Sequence, residues 1–587
     1  MEEFRSRFTS RRWRLRWPDP SAVAQLMRQL GCSPALARAL SGRGQGQGQG
    51  GFHPEDLLRT DRGLINPPWA FPEMDTAVER LLQAKERGER LFLHGDFDVD
   101  GLCGTALLYL GLRRVGFKEI KVEVEDRERG HGLNPEVVER VCREGFRLLI
   151  TIDCGISDPD YVAQLQSAGV DVIITDHHQP LRLRELPPAK AILNSGLGFE
   201  DRAYPNKGLA GVGAAFQLLR GLYERLGLEQ DAEEFLDLVM LGTVADLVPL
   251  VTDGQAENKA LVAQGLQLLK EGRGRLGLRT LISKVGLDPG RLTAGEVGYI
   301  VAPKLNAANR VGDPRVAFLL LITEDKARAD YLSEILLDYN RDRQVAQDDL
   351  LFQAEELIRA GAADPKKDKI IILEGEYWNP GIIGLVASDL VERYYLPVIL
   401  ISRGERESRA SGRSIPEFDL FASLERFSHL LIRHGGHPLA AGFTISNGNI
   451  PALKEGLSAY AAERLADLDG PTSWIDAVLE PEEISFQLYE EVQRLSPFGM
   501  GNPEPRFLLP HVRLEAIEPV GSGGDHLKCR ARAGGREFSC IGFGLGRYAP
   551  RLWEMGEAEV GLIFKLGRDE WLGEVNLQLE LEDFVWV

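Results

Sequence analysis

Cysteine is scarce in this chain, six in 587 residues, and no two are spaced as Cys-X-X-Cys. Zinc ribbons and dithiol redox motifs need that spacing, so neither a structural zinc site nor a disulfide framework is expected. No apolar run approaches the roughly 18 residues that cross a bilayer. The opening MEEFRSRFTSRRWRLRW carries basic residues with no apolar stretch behind them, so it does not read as a secretory leader. A cytoplasmic, reduced protein is the simplest expectation. Positive charge is in deficit, 69 Lys+Arg against 88 Asp+Glu, a net charge of −19. As a global number this speaks against a nucleic-acid partner. Apolar content of 44% and charged content of 27% are ordinary for a folded protein and exclude wholesale disorder.

Low-complexity sequence is confined to GRGQGQGQGG (42–51), a flexible link that ends a poorly patterned N-terminal arm, residues 1–55. From 56 to 325, β-branched apolar runs alternate with helical periodicity, the pattern of βαβ units and a parallel sheet. RLFLH (90–94), FRLLITID (146–153) and VDVIITD (170–176) read as strands, and GLCGTALLYLGLRRVG (101–116) as a helix. AAFQLLRGLYERLG and EEFLDLVMLGTVADL read as long apolar-faced helices. A polar helical stretch, 326–362, either bridges two domains or lies on the surface of one. KIIILEGE and YLPVILIS belong to a second α/β segment, 363–470, and short alternating strands within 471–587 suggest a small closed or partly open β-barrel. The expected fold class is therefore α/β: a parallel-sheet domain, a long connecting helix, a second α/β domain and a C-terminal barrel. No internal repeat is evident.

The densest chemical signal is His94-Gly-Asp96-Phe-Asp98-Val-Asp100-Gly101, directly after the first strand. Carboxylates crowded at this spacing repel one another unless a cation neutralises them. Alone, the run would read as a solvated acidic loop. The next two strands, however, end in Thr151-Ile-Asp153-Cys-Gly155 and Thr175-Asp176-His177-His178. Sites in open parallel sheets form beyond the carboxyl ends of strands, so these acids and imidazoles converge on one rim. Asp246 closes an otherwise apolar helix and is costly to bury without a partner. An oxygen-rich set with one or two imidazoles suits Mn²⁺ or Mg²⁺ better than structural zinc. Cys154 reads as core.

HGDFDVDG, TIDCGI, TDHH and GTVADLVPL resemble, in order, the successive motifs of the DHH phosphoesterase superfamily, in its single-strand exonuclease branch. The likeness extends through APKLNAANRVGD (302–313), the helix with NRDRQ, GRSIPEFDL (412–420), RHGGHPLAAGF and LSPFGMGNPEPRF. It implies a DHH catalytic domain, a DHHA1-like substrate-binding domain and a nucleic-acid-binding OB fold. It also implies a two-metal site: one ion on His94, Asp98 and Asp153, the other on Asp100, Asp153, His177 and Asp246, with Asp153 bridging. Asp96 would ligate or stand just behind, His178 would contact the scissile phosphate, and Asp176 would orient an imidazole. Arg127 or Arg129, in EDRERGHGL with His131 where the family has tyrosine, would hold a 5′ end. Arg310 follows Asn309, where a small residue is usual. Ser411, Arg413, Ser414, Gly436 and His437 match phosphate-binding turns of the second domain, and Asn379 stands where a histidine is common. In the barrel, Phe498, Phe507, Phe543, Lys528 and Arg530 are candidates for a single-strand track or, for the aromatics, for the core.

The activity so implied is metal-dependent digestion of single-stranded DNA, 5′ to 3′, to mononucleotides, in DNA repair and recombination. It needs no Ser or Cys nucleophile. The implied partner is single-stranded DNA with a 5′ end, with a helicase and a single-strand-binding protein as candidates, a monomeric state and no membrane. Two alternatives are a phosphodiesterase acting on short oligoribonucleotides or cyclic dinucleotides, and an inert scaffold of a replication or repair assembly. The −19 does not decide among them, because a strand meets a local track rather than a total.

Overall fold

The computed structural model describes residues 2–43, 54–125, 127, 131–180, 186–197, 203–252, 254–556, 558–571 and 574–586. Arg129 and all but the first two residues of the 42–51 link lie outside these. The chain divides into two compact units, one of Asn66–Val248 and Gln264–Leu468, the other of Met1–Ile65, Pro249–Ala263 and Asp469–Val587.

In the first unit five parallel strands lie in the order Ile120–Val124, Leu91–Gly95, Leu148–Ile152, Asp171–Asp176, Ala191–Asn194. Leu91–Gly95 and Leu148–Ile152 are buried throughout, which is why they read as unbroken apolar runs. The chain leaves the inner strand Leu91–Gly95 for the edge strand Ile120–Val124, then crosses to the central strand Leu148–Ile152 on the other side. Connections therefore diverge at the carboxyl ends of Leu91–Gly95 and Leu148–Ile152, and the divergence opens a crevice there. The helix Val99–Arg114 begins at that crevice because Asp98 caps it, its Oδ1 accepting from the amides of Asp100 and Gly101 at 2.9 and 3.2 Å.

The helix Lys326–Arg359 has 34 residues, about 51 Å at the α-helical rise. Its early buried residues Ala329, Leu332 and Leu336 pack on the sheet-bearing half, against helices such as Ala302–Val311. Leu350 and Ala354 sit in a core with Ile371, Leu373 and Leu400 of the second α/β half. Of the two readings of this stretch, the bridging one holds. The second half is a mixed sheet in the order Leu431–His437, Ala440–Ser446, Glu407–Arg413, Val398–Arg403, Ile371–Glu376, with only the last pair parallel.

In the other unit, Phe507–Val520 pairs with both His526–Ala533 and Val560–Trp571, the latter with Glu574–Val585, and that strand with Arg536–Gly542, which returns to His526–Ala533. The circuit closes, as an OB-type barrel requires. The N-terminal stretch read as an unpatterned arm is an ordered part of this unit. Glu3–Arg5 and Arg12–Leu15 form a hairpin that continues in parallel onto Thr472–Ile475. Trp13 and Leu15 point inward into a core with Ile475, Leu508, Ile563 and Val585. The Trp13 indole and the Ser6 hydroxyl donate to the Asp583 carboxylate, each at 2.8 Å. The alternation is present in RWRLRW but masked by its arginines. No described helix is long and apolar enough to cross a membrane.

Candidate metal centre and phosphate pocket

Asp153 leaves its strand in the left-handed region, φ +61°, a conformation that costs a non-glycine residue about 1–3 kcal/mol and is kept where the surroundings demand it. Gly211 makes room for it: a Cβ there would lie 2.5 Å from Asp153 Oδ1. Asp100, on the first turn of its helix, accepts from the amides of Val212 and Gly211 at 2.9 and 2.7 Å. His177 Nε2 lies 3.2 Å from Asp153 Oδ1, 3.4 Å from Asp246 Oδ2 and 4.0 Å from Asp100 Oδ2. Asp98 and Asp96 join Asp153 in a second group of carboxylate oxygens.

Burial and mutual repulsion raise the carboxyls. Asp100 is pushed well up by burial, then by Asp246 and Asp98. Asp153 is pushed well up by burial and by Asp100, Asp98 and Asp96, and Asp246 by burial, Asp98 and Asp96. Burial, with help from the charge on His178, lowers His177 to about 3, so its imidazole is neutral. Asp153 Oδ1 and His177 Nε2 are buried without a hydrogen-bond partner. These two unpartnered atoms lie beside oxygens of Asp100 and Asp246, and a divalent cation is what such a donor set fits.

His178 is half-exposed, and its Nδ1 is 2.8 Å from Asp176 Oδ1. Burial would lower its pKa, but Asp176 raises it. Asp176 itself is fully buried, accepts from the amides of Ile156, His177 and His178, and is held below the usual carboxylate range. His94 is placed differently from the acids: its Nε2 lies 3.1 Å from Glu125 Oε1, and its Nδ1 has no partner. The sequence pattern does not single out Glu125, although it follows the edge strand as Asp153 and Asp176 end or follow theirs; the alternating KVEV run hides that strand. Burial, then Asp96, raises Glu125 to about 7. His131 Nδ1, 3.1 Å from Asp96 Oδ1, overcomes burial and brings Asp96 down to about 2.

A cluster of opposite sign belongs to the same unit. Arg310 donates to the Gly381 carbonyl at 2.9 Å. Burial, then Arg127, Arg413 and Arg343, lowers its pKa to about 9. Arg413 donates to the Ser411 hydroxyl and the Gly412 carbonyl, and burial and Arg127 lower it. Arg127 lies over the Phe97 ring at 4.7 Å, with its Nε buried and unpartnered. Among the described residues none of these three arginines meets a carboxylate. His437 is held down by burial, then by Arg413 and His178. Gly436, at φ +142°, turns the backbone where a Cβ would strike the Ala440 carbonyl at 2.4 Å. Ser414 is different: it is buried and donates to the Phe418 carbonyl at 2.6 Å, a turn-forming role. Asn309 and Asn306 tie the clusters together. Asn309 donates to the Phe97 carbonyl at 3.1 Å and to Asn306 Oδ1 at 3.3 Å, and Asn306 Oδ1 accepts from the Val99 amide at 3.2 Å. In the barrel unit Phe507 is fully buried core, Phe498 packs on that core, Phe543 is exposed, and Arg530 pairs with Glu537.

A crevice-bound Asp/His cluster at the switch point of a parallel sheet, with Arg127 and Arg310 of the same half and Arg413 of the second α/β half pairing with no carboxylate among the described residues, defines a metal-dependent phosphoesterase. The family description "DHH family, N-terminal domain" matches residues 90–243, "DHHA1 domain" 367–463 and "RecJ OB domain" 475–583. The single-stranded-DNA-specific exonuclease RecJ of Salmonella typhimurium is 33% identical over 97% of this chain and 99% of its own length. That of Bacillus subtilis is 33% identical over 97% of this chain and 70% of its own. The crystal structure of RecJ from Thermus thermophilus in complex with Mn²⁺ superposes with a TM-score of 0.81 at 31% identity, covering 98% of this chain and 79% of that one. The chain belongs to the RecJ family of single-stranded-DNA-specific exonucleases, with Mn²⁺ or Mg²⁺ as cofactor.

Proposed function

We propose that this protein hydrolyses single-stranded DNA from its 5′ end to mononucleotides, with two divalent ions held by His94, Asp96, Asp98, Asp100, Asp153, His177 and Asp246. The observation that carries the reading is the juxtaposition of a carboxylate–imidazole cluster, with Asp100 and Asp153 buried, and half-buried arginines that pair with no carboxylate among the described residues. When bound, the ions lower the pKa of a water and offset charge building on the phosphodiester. The chain's own groups do the rest. His178, kept oriented by Asp176, presents its other ring nitrogen to a phosphate oxygen. Arg310 and Arg413 stay charged at neutral pH and hold a terminal phosphate, with Arg127 and His437 alongside. Ser411 fixes the Arg413 guanidinium. Asn309 and Asn306 hold the Phe97–Val99 backbone, and with it the acidic loop, in register with Arg310 on the same helix.

A time course on 5′- and 3′-labelled single strands with Mn²⁺, Mg²⁺ or chelator tests this. Label should leave the 5′ end first and only with a divalent ion, and removing the 5′ phosphate should slow the loss; 3′-first release would overturn the polarity. A bound single strand also suits a cytoplasmic monomer supplied by a helicase and by a single-strand-binding protein.

A further inference from the structure

The barrel unit carries a concentration of arginines that the metal centre does not use and that pair with no acid among the described residues. Arg7 lies at the tip of the N-terminal hairpin, its guanidinium 3.3 Å from the centre of the Trp586 ring. Next to it Phe8 stacks on Tyr548 at 4.8 Å and 12°. Arg551 lies over Phe8 at 4.8 Å and Arg547 over Tyr548 at 4.9 Å. Arg11 sits over Trp13 at 5.5 Å. Arg551 belongs to the short helix Ala549–Met555, to whose Met555 sulfur Arg7 also donates.

Two contrasts separate this group from ordinary surface charge. On the same hairpin, Arg5, Arg12, Arg14 and Arg16 each have an acid: Asp469, Glu3 or Asp476. Among the described residues Arg7, Arg11, Arg547 and Arg551 have none within ion-pairing distance, in a chain with an excess of 19 acids. The second contrast is with the barrel strands. Their cleft of about 320 Å³, lined by Glu518, Lys528, Arg530, Glu537 and Ser539, has its arginine already paired with Glu537. The hairpin-and-helix surface keeps its charge, and it keeps aromatic area as well: Trp586 is 64% exposed and Trp553, on the same helix as Arg551, 54%.

Arginines preset on ring faces beside exposed indoles are what single-stranded nucleic acid binds, phosphates to the cations and bases to the rings. We infer that Arg7, Arg11, Arg547 and Arg551, with Trp586, form an accessory binding surface for single-stranded DNA, apart from the barrel strands. The inference rests on the substrate class proposed above. Its position on the hairpin tip gives the N-terminal residues a role in holding the strand.

The test uses the full chain in chelator, so that nothing is cleaved, with a long single strand and a tetranucleotide as probes. The variant Arg7→Glu/Arg547→Glu/Arg551→Glu should bind the long strand at least about tenfold more weakly. The slope of log affinity against log salt should drop by about 2, since each lost phosphate contact removes about 0.7. Trp586→Ala should weaken the long strand about tenfold with little change in that slope. The tetranucleotide should bind both variants as it binds the wild type, which also shows that they fold. Wild-type affinity and salt slope for the long strand in the triple variant would overturn the inference. So would selective loss of a poly-glutamate probe, which would assign the surface to an acidic protein segment. Failure of the wild type to degrade any single strand with Mn²⁺ would instead overturn the catalytic reading.

Discussion

The metal centre and the arginine pocket are opposite in sign and differ in how they bear their charge. Asp100 and Asp153 are buried and Asp98 and Asp246 partly so, and desolvation and mutual repulsion push each carboxyl upward. Arg127, Arg310 and Arg413 are crowded together and pushed downward, Arg310 to about 9. A carboxyl can relieve the repulsion by keeping a proton above its ordinary pKa. A guanidinium at about 9 remains charged at neutral pH. Protons and cations therefore compete for the acidic site, whereas the arginine site is a fixed charge that only an anion can satisfy.

Removing a carboxylate from the acidic side should have the largest effect. Asp153→Asn is expected to lower kcat by more than the roughly 100-fold typical of losing an outer partner of a metal ligand. Single-turnover cleavage at saturating Mn²⁺ checks this; near-wild-type rates would remove Asp153 from the centre. On the basic side, Arg413→Ala loses charge-assisted hydrogen bonds worth about 1.5–3 kcal/mol. It should raise KM for a 5′-phosphorylated strand about 10- to 100-fold and leave a 5′-hydroxyl strand almost unaffected. Equal loss on both strands would contradict a terminal-phosphate role.

Asp176→Asn probes the support behind His178. It should cost about 10- to 100-fold in kcat by releasing His178, with a smaller change in Mn²⁺ affinity measured by calorimetry. Asn309→Ala removes one hydrogen bond to the loop, worth about 0.5–1.5 kcal/mol, so kcat/KM should fall only a few-fold. Combined with Arg127→Ala, it should be less than additive if Asn309 acts through Phe97 on Arg127.

The smallest effect is on stability. In chelated protein, Asp100, Asp153 and Asp246 bind protons in the folded state above about pH 4, where the unfolded chain has released them. Stability should therefore fall as pH rises through the raised values, and saturating Mn²⁺ should flatten the decline. Asp96 and Asp176, held low by His131 and His178 against the effect of burial, act in the opposite direction, losing stability only as pH falls below about 4. Melting temperatures from about pH 5 to about pH 8, with chelator and with Mn²⁺, separate these contributions. A chelated protein that grows more stable with rising pH would falsify the assignment of the raised carboxyls.

Much of the catalytic half was legible because buried parallel strands are written as apolar runs and their ends as polar punctuation. Asp153, Asp176 and His177 could be placed on one rim from that pattern alone. Glu125 escaped because its strand is an edge and alternates. The hairpin at Glu3–Arg5 and Arg12–Leu15 escaped because its partners are far away in sequence: nothing near Trp13 announces that Asp583 will accept its indole hydrogen. Asn309 was visible only as a departure from the family, and its purpose depends on the Phe97 carbonyl, a backbone atom whose position no side-chain pattern records.

Those distant partners have a kinetic consequence. Ser6 and Trp13 bond to Asp583 across 577 and 570 residues, and the hairpin's third strand does not begin until Thr472. On the ribosome, the unit of Asn66–Val248 and Gln264–Leu468 has all its sequence long before the other unit does. The N-terminal hairpin, rich in arginine, must wait without its barrel while the 570 residues that follow Trp13, up to Asp583, are made. Contacts so far apart form late and slowly. The catalytic unit is therefore expected to acquire its structure first, and the barrel unit to assemble only when Glu574–Val585 emerges and captures the hairpin of Glu3–Arg5 and Arg12–Leu15.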